Sequence, residues 1–256
     1  MGSSQAQDSF DGAACWAERG RARKYDSQDN RAFYQSALVR LLDGAPTLAG
    51  RGIDLGCGTG FSTEVLVKRY PGVAWHGIDV ADSMLDLARA KPSVAGATFA
   101  RAAAESLPFP DASVDVMVAN FSWHWFGEAA GREVRRVLRP AGWLLATVPL
   151  RLFSGAAGNR ALARVLLAGR RHFAPRSSQG LRFQAVRELL PGNVCVARHE
   201  LQIGRETFAD ARAMLDALGS RGALAAIFGE DAPASLDAPA PLDFTWPFAL
   251  VHLQAE

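Results

Sequence analysis

The chain has 256 residues, 49% of them hydrophobic and 21% charged, with a formal net charge of +2. So much apolar content with so little net charge excludes intrinsic disorder, and 24 Gly and 13 Pro at no fixed period exclude a collagen-like or low-complexity chain. The longest charge-free stretches, such as Val116 to Gly127 and Pro140 to Leu150, fall short of the roughly 18 residues that a membrane-spanning helix needs. Met1 to Asp8 is polar and lacks the basic start and apolar core of a secretory signal, which predicts retention in the cytoplasm. Cys15, Cys57 and Cys195 form no Cys-x-x-Cys pair, so neither a disulfide framework nor a metal site is expected, and the thiols should be reduced and mostly buried.

In chain order, Asn30 to Leu42 sets Phe33, Ala37, Leu38, Leu41 and Leu42 on one helical face, and Asp43-Gly44 stops it. Short apolar runs follow at Gly52 to Leu55, Val73 to Ile78, Thr98 to Arg101, Val114 to Ala119 and Trp143 to Val148, as expected of parallel strands covered on both faces. Between them Ser62 to Arg69, Ser83 to Lys91 and Glu128 to Leu138 have helical spacing, with Asp82 a candidate N-cap and Pro140 a stop. This alternation predicts an α/β, right-handed, doubly wound sheet. Beyond Leu150 the pattern predicts helices at Asn159 to Gly169, Leu181 to Leu190 and Phe208 to Leu218. Strands are expected at Val194 to Ile203 and Phe244 to Leu253, with a Pro/Ala-rich loop at Asp231 to Pro241. These segments are expected to complete the same sheet and add a small helical insertion, giving one domain.

The basic residues are 25 Arg against Lys24, Lys68 and Lys91. From Arg132 to Arg187 twelve Arg face one carboxylate, Glu133, which predicts a basic side attractive to an anionic partner.

The chemistry concentrates in Gly52-Ile53-Asp54-Leu55-Gly56-Cys57-Gly58-Thr59-Gly60. A strand running into alternate glycines lets the backbone approach a ligand without Cβ obstruction, ahead of a helix whose free N–H groups point at it. A dinucleotide fingerprint starting at Gly56 would need glycine where Phe61 stands, so NAD is disfavoured. Nineteen residues after Gly60, Asp79 ends Trp75-His76-Gly77-Ile78-Asp79, where a carboxylate can accept both hydrogen bonds of a ribose.

Asp54 followed by Gly56-x-Gly58-x-Gly60 resembles motif I of the class I S-adenosylmethionine-dependent methyltransferases. The resemblance implies a Rossmann-like, mostly parallel seven-stranded sheet with an antiparallel last strand. Residues 1–45 would form an N-terminal helical lid, 46–150 the cofactor-binding half, and 151–256 the substrate-side helices and closing strands. It implies S-adenosyl-L-methionine as cofactor, with Asp54 toward its methionine end and Gly56, Cys57, Gly58 and Gly60 beneath it. Asp79, Val80, Met84, Ala104, Glu105 and Asn120 are the further cofactor-binding positions. Ala104-Glu105-Ser106-Leu107-Pro108-Phe109 resembles the adenine-side motif, but Ala103 stands where an Asp is common.

The segment after the fourth strand, Asn120 to Phe126, should lie beside the acceptor. There His124 is a candidate general base because imidazole titrates near neutrality, packing being its alternative role. Trp16, Tyr25, Trp123, Trp125, Arg170 and Arg171 are the candidate substrate contacts. A sulfonium methyl is already activated, so the protein must mainly align an acceptor lone pair and exclude water. A carboxylate acceptor needs no base, which favours O-methylation of an acid. The chain has no paired motif of the kind that serves base methylation, so nucleic acid is not the expected partner.

Ser9-Phe10-Asp11-Gly12-Ala13-Ala14, the glycine loop, Glu105 to Pro108, Asn120 with Trp125, Phe208 to Ala223 and Pro241-Leu242-Asp243-Phe244 together resemble the malonyl-[acyl-carrier protein] O-methyltransferases of early biotin synthesis. Trp16-Ala17 replaces the usual Tyr after the opening Ala-Ala. This resemblance implies an acidic acyl carrier protein as partner, steered by the Arg-rich stretch. A small-molecule or natural-product O- or C-methyltransferase and a non-catalytic cofactor-binding subunit are the alternatives.

Overall fold

The computed structural model of the protein describes residues 16–150, 156–168, 190–224 and 233–256. In chain order the elements are α1 (Arg19–Tyr25), α2 (Gln28–Leu42), β1 (Gly50–Leu55), α3 (Phe61–Arg69), β2 (Val73–Asp79), α4 (Asp82–Arg89) and β3 (Ala97–Arg101). They continue as β4 (Val114–Asn120), α5 (Glu128–Val137), β5 (Leu138–Pro149), α6 (Ala157–Ala168), β6 (Val194–Phe208), α7 (Ala211–Ser220) and β7 (Leu242–Ala255). The strands form a 7-stranded sheet in the order β3-β2-β1-β4-β5-β7-β6. The first five are mutually parallel, whereas β7 runs antiparallel to both β5 and β6. The chain reverses its direction of travel across the sheet between β1 and β4, where a ligand crevice opens outside the carboxyl ends of the strands.

Alternate residues of each inner strand serve opposite faces. Along β4, Met117 and Ala119 join the cluster that includes Val134 and Val137 of α5. Val116 and Val118 join the cluster that includes Leu38 and Leu41 of α2 and Leu66 of α3. A third cluster, with Leu162, Met214, Leu215, Leu218, Leu242 and Phe244, packs α6 and α7 on the beginning of β7. Ser27 caps α2 by accepting from the N–H of Asn30 at 3.3 Å, and Asp210 caps α7 by accepting from that of Ala213 at 2.8 Å.

Several boundaries differ from the sequence expectation. Pro140 does not stop α5: the helix ends at Val137, and Pro140 lies inside β5, where four residues bulge between the Val114–Leu138 and Val116–Trp143 pairs. Asp82 is the first helical residue of α4 rather than its cap, and its carboxylate pairs with Arg101 at 3.2 Å. β6 runs five residues beyond Ile203 because its whole length pairs with β7, and α7 starts only after it, at Ala211. Cys195 is exposed, against the expectation of burial, while Cys57 is buried. The expected helix from Leu181 to Leu190 lies outside the described residues except for Leu190.

Among the described residues, the start of the Arg-rich run is less basic in space than in sequence. Arg132, Arg136 and Arg139 pair with Glu128, with Glu133 and Asp111, and with Asp115, so carboxylates from other segments offset the start of the run. Arg170 and Arg171, expected as substrate contacts, lie outside the described residues.

A buried polar knot ties α2 to the β6–β7 hairpin. The Arg221 guanidinium, 2% exposed, donates to both carboxylate oxygens of Glu206 and, through Nε, to Asn30 Oδ1 at 2.9 Å. It lies over the Phe33 ring at 4.3 Å and near that of Trp246 at 5.4 Å. Removing one partner of such a pair leaves the other desolvated and uncompensated. Arg221→Met should therefore cost roughly 3 kcal/mol in urea unfolding, and adding Glu206→Gln should restore part of it. A loss below about 1 kcal/mol would place the knot among exposed ion pairs.

Candidate functional site

The glycine loop between β1 and α3 is bent by three residues with positive φ, Gly56 at 69°, Gly58 at 54° and Gly60 at 86°. It is fastened to the end of β2. Gly56 and Cys57 donate to the Ile78 carbonyl at 2.8 and 3.0 Å, and Gly58 donates to Asp79 Oδ2 at 2.9 Å. Asp79 Oδ1 accepts from Ala81 at 2.9 Å, and the Val80 N–H is a further backbone donor to the carboxylate. At Gly56 a Cβ would fall 2.5 Å from Ser122 Cβ, which explains the glycine independently of φ. Cys57 turns its thiol beneath the loop, where a Cβ on Gly77 would lie 3.1 Å from it.

Asp54, 1% exposed, accepts from Thr63 Oγ1 of α3 at 2.6 Å. Burial pushes its pKa up to about 7, with the neighbouring charge of Asp79 adding to the effect, and burial likewise raises Asp79. Two carboxyl groups that resist ionisation beside a bare loop are suited to a cationic ligand, whose charge would compensate theirs.

The remaining expected positions distribute around this cradle. Val80 is half-buried, Met84 is buried against α1, Ala104 is buried in the core and Glu105 is exposed. Asn120 is buried, with its amide nitrogen donating to Tyr34 O and Ser62 Oγ at 3.0 Å each and its Oδ1 accepting from Thr147 at 2.6 Å. Its side chain is thus committed within the protein, tying β4 to α2, α3 and β5.

Tyr25 lies next to Gly58, where a Cβ would meet its ring at 3.7 Å, and stacks on Phe61 with centroids 5.5 Å apart. Trp16 meets Tyr25 edge-on at 5.4 Å, and its carbonyl accepts from Ser83 of α4. Lys91 closes this side by donating to Asp26 at 2.5 Å and to Thr59 O at 2.7 Å, with its ammonium 4.3 Å from the Phe61 centroid.

Phe121 adopts φ of 53°, an unusual conformation for a bulky residue, and turns the chain out of β4. Ser122, in the buried segment that follows, donates to Leu55 O at 2.5 Å. Trp123 is buried in the core, whereas His124 and Trp125 are half-buried with ring centroids 4.6 Å apart. Burial lowers the His124 pKa to about 4, so as a base the ring is feeble.

Thr63 and Lys91 carry no expectation from the sequence, Phe61 enters there only as the residue that breaks a dinucleotide fingerprint, and Ser122 only as part of the segment Asn120 to Phe126. Thr63 had a readable signal, a hydroxyl in the first helical turn after the glycines; the other three act through contacts that only the fold creates.

Residues 53–146, spanning most of β1 to β5, match the family described as methyltransferase domain. Trans-aconitate 2-methyltransferase from Methylobacterium nodulans is 39% identical over 114 residues, 44% of this chain and 42% of that protein. Malonyl-[acyl-carrier protein] O-methyltransferase from Methylococcus capsulatus is 37% identical over 97 residues, 37% of this chain and 35% of that protein. These matches span less than half the length of either relative. The YcgJ protein of Bacillus subtilis shares the fold, with a TM-score of 0.56 at 18% identity, covering 86% of this chain and 98% of that one. Among the described residues no helix is long and apolar enough to cross a membrane.

The raised Asp54 carboxyl links stability to pH. Its pKa of about 7 in the folded protein exceeds the 3.8 of a free side chain, so between those values the folded state holds a proton that the unfolded chain has lost. Stability is therefore highest below about pH 4 as far as this group is concerned, and falls as pH rises toward about 7. Asp54→Asn should flatten that decline by a few kcal/mol at most, read from denaturant midpoints at pH 5 and pH 8. An unchanged difference between the two midpoints would contradict the assignment.

Proposed function

We propose that this protein is an S-adenosylmethionine-dependent methyltransferase that methylates a carboxylate oxygen. The observation that carries the cofactor reading is the bare, strand-anchored glycine loop with Asp54 and Asp79 beside it. The Asp79 carboxylate, an acceptor at the end of β2, suits a ribose diol, and Asp54 suits the cationic methionine end. When bound, the cofactor supplies an electrophilic methyl on a positively charged sulfur. The chain's own tasks are then to hold the acceptor oxygen in line and to keep water out, with Tyr25, Phe61 and Trp16 as an aromatic cover on the loop.

The acid reading rests on the weak basicity of the acceptor-side imidazole. A His with pKa near 4 cannot efficiently take a proton from a hydroxyl, whereas a carboxylate arrives without one. The two relatives named above are called methyltransferases of trans-aconitate and of a malonyl carrier protein, both acids. The free carboxyl of a malonyl thioester on an acidic carrier protein is our first acceptor, and a small free polycarboxylic acid the second.

Two measurements test this reading. Asp79→Ala should weaken S-adenosylmethionine binding at least tenfold by calorimetry, since a hydrogen bond to a charged group contributes about 1.5–3 kcal/mol; unchanged affinity would refute the cofactor assignment. In a turnover screen, release of S-adenosylhomocysteine should depend on malonyl thioesters or free polycarboxylic acids. Cofactor binding without release from any acceptor would favour a non-catalytic subunit, and release with hydroxyl compounds alone would overturn the acid reading.

A further inference from the structure

Among the described residues, one buried side-chain nitrogen or oxygen has no hydrogen-bond partner: Nδ1 of His124. Shutting a polar atom away from water without a partner costs roughly 1–3 kcal/mol, and native structures tolerate it where another task compensates. The position of this atom suggests the task. His124 is the middle residue of the 3-10 turn Trp123–Trp125, directly beyond β4 at the carboxyl edge of the parallel strands. The turn lies against the glycine loop, since a Cβ on Gly56 would meet Ser122 Cβ at 2.5 Å and the Phe126 ring at 3.5 Å. Successive residues of a 3-10 helix point about 120° apart. Trp123 points into the core, 1% exposed and edge-on to Phe126, so His124 and Trp125 are turned to other sides.

We propose that His124 recognises the acceptor, donating its Nδ1–H to the carboxylate oxygen that does not receive the methyl group. The inference rests on the carboxylate reading given above. Burial keeps the imidazole neutral at physiological pH, with one ring hydrogen to give. In the transfer the new oxygen–carbon bond uses a carboxylate lone pair, the electrons of the broken carbon–sulfur bond stay on sulfur, and no proton changes hands. The ring therefore holds one oxygen and leaves the other free to react, which makes His124 a specificity residue for carboxylates rather than a base.

The test uses His124→Phe and His124→Gln in the full chain, with the malonyl thioester of N-acetylcysteamine as acceptor and its acetyl counterpart as control. Phe fills the space without a polar atom, so the denaturant midpoint should hold or rise. The affinity for S-adenosylhomocysteine should stay within twofold. Calorimetric binding of the malonyl thioester to the S-adenosylhomocysteine complex should weaken about tenfold or more, with a matching rise in KM. Gln carries an amide N–H and should recover most of that binding. The acetyl thioester, lacking the carboxylate, should bind equally weakly to all three proteins.

A lower midpoint in the Phe variant would show that Nδ1 serves the fold, and unchanged malonyl thioester binding would show that it does not meet the acceptor; either overturns the proposal. Failure of the wild-type complex to bind the malonyl thioester at all also overturns it. Wild-type binding without methyl transfer would instead count against the methylation reading and leave the recognition role standing.

Discussion

Three backbone N–H groups, of Gly56, Cys57 and Gly58, hold the glycine loop to the last turn of β2, two on the Ile78 carbonyl and one on the Asp79 carboxylate. This fastening is the constraint from which the site follows. It requires β1 and β2 to be parallel and in register, so that Leu55 sits beside Ile78 when the chain turns. It also requires positive φ at Gly56, Gly58 and Gly60, which residues with a Cβ adopt only under strain. With the loop fixed, α3 begins at Phe61 and brings Thr63 to Asp54, while β4, on the other side of β1, delivers Ser122 to Gly56. Elements distant in sequence thus meet around one short stretch of bare backbone.

The electrostatics follow from the same geometry. Asp54 closes against a helix turn with the hydroxyl and the backbone N–H of Thr63 as donors, and desolvation outweighs both bonds, so its carboxyl resists ionisation. Glu133 shows the contrast: Arg136 donates to both of its oxygens and Leu107 N–H donates as well, and its pKa is lowered despite some burial. Glu133, held by a guanidinium, serves the scaffold, whereas Asp54, with no cation beside it among the described residues, lies by the loop.

Much of the fold was legible in the sequence because the inner strands are short apolar runs separated by helical spacing, and the glycine pattern marked the end of β1. Asp79 was legible as well, from its place at the end of a predicted strand. Long-range pairing was not. Nothing local at Pro140 signals that it lies within β5, because that depends on β4 beside it, nor does the sequence around Ile203 show that β6 continues to Phe208 along β7. Asn120 read as a ligand contact because of its position; that Tyr34, Ser62 and Thr147 use up its amide depends on three separate elements. The Arg-rich run read as a basic face because sequence counting does not see Asp111 or Asp115, which neutralise part of it from outside the run.

The placement of β7 bears on how the chain is made. β6 occupies the sheet edge, and its only strand neighbour among the described residues is β7, which is also what joins it to β5. A nascent chain that has emerged only as far as α7 can assemble β1 to β5 but leaves the fifteen-residue β6 with nothing to pair against. Leu201 and Ile203, still 59% and 52% exposed in the finished protein, would then flank an open backbone ladder. Such a half-made sheet is prone to association with other chains, and truncation ahead of Leu242 would trap it in that form.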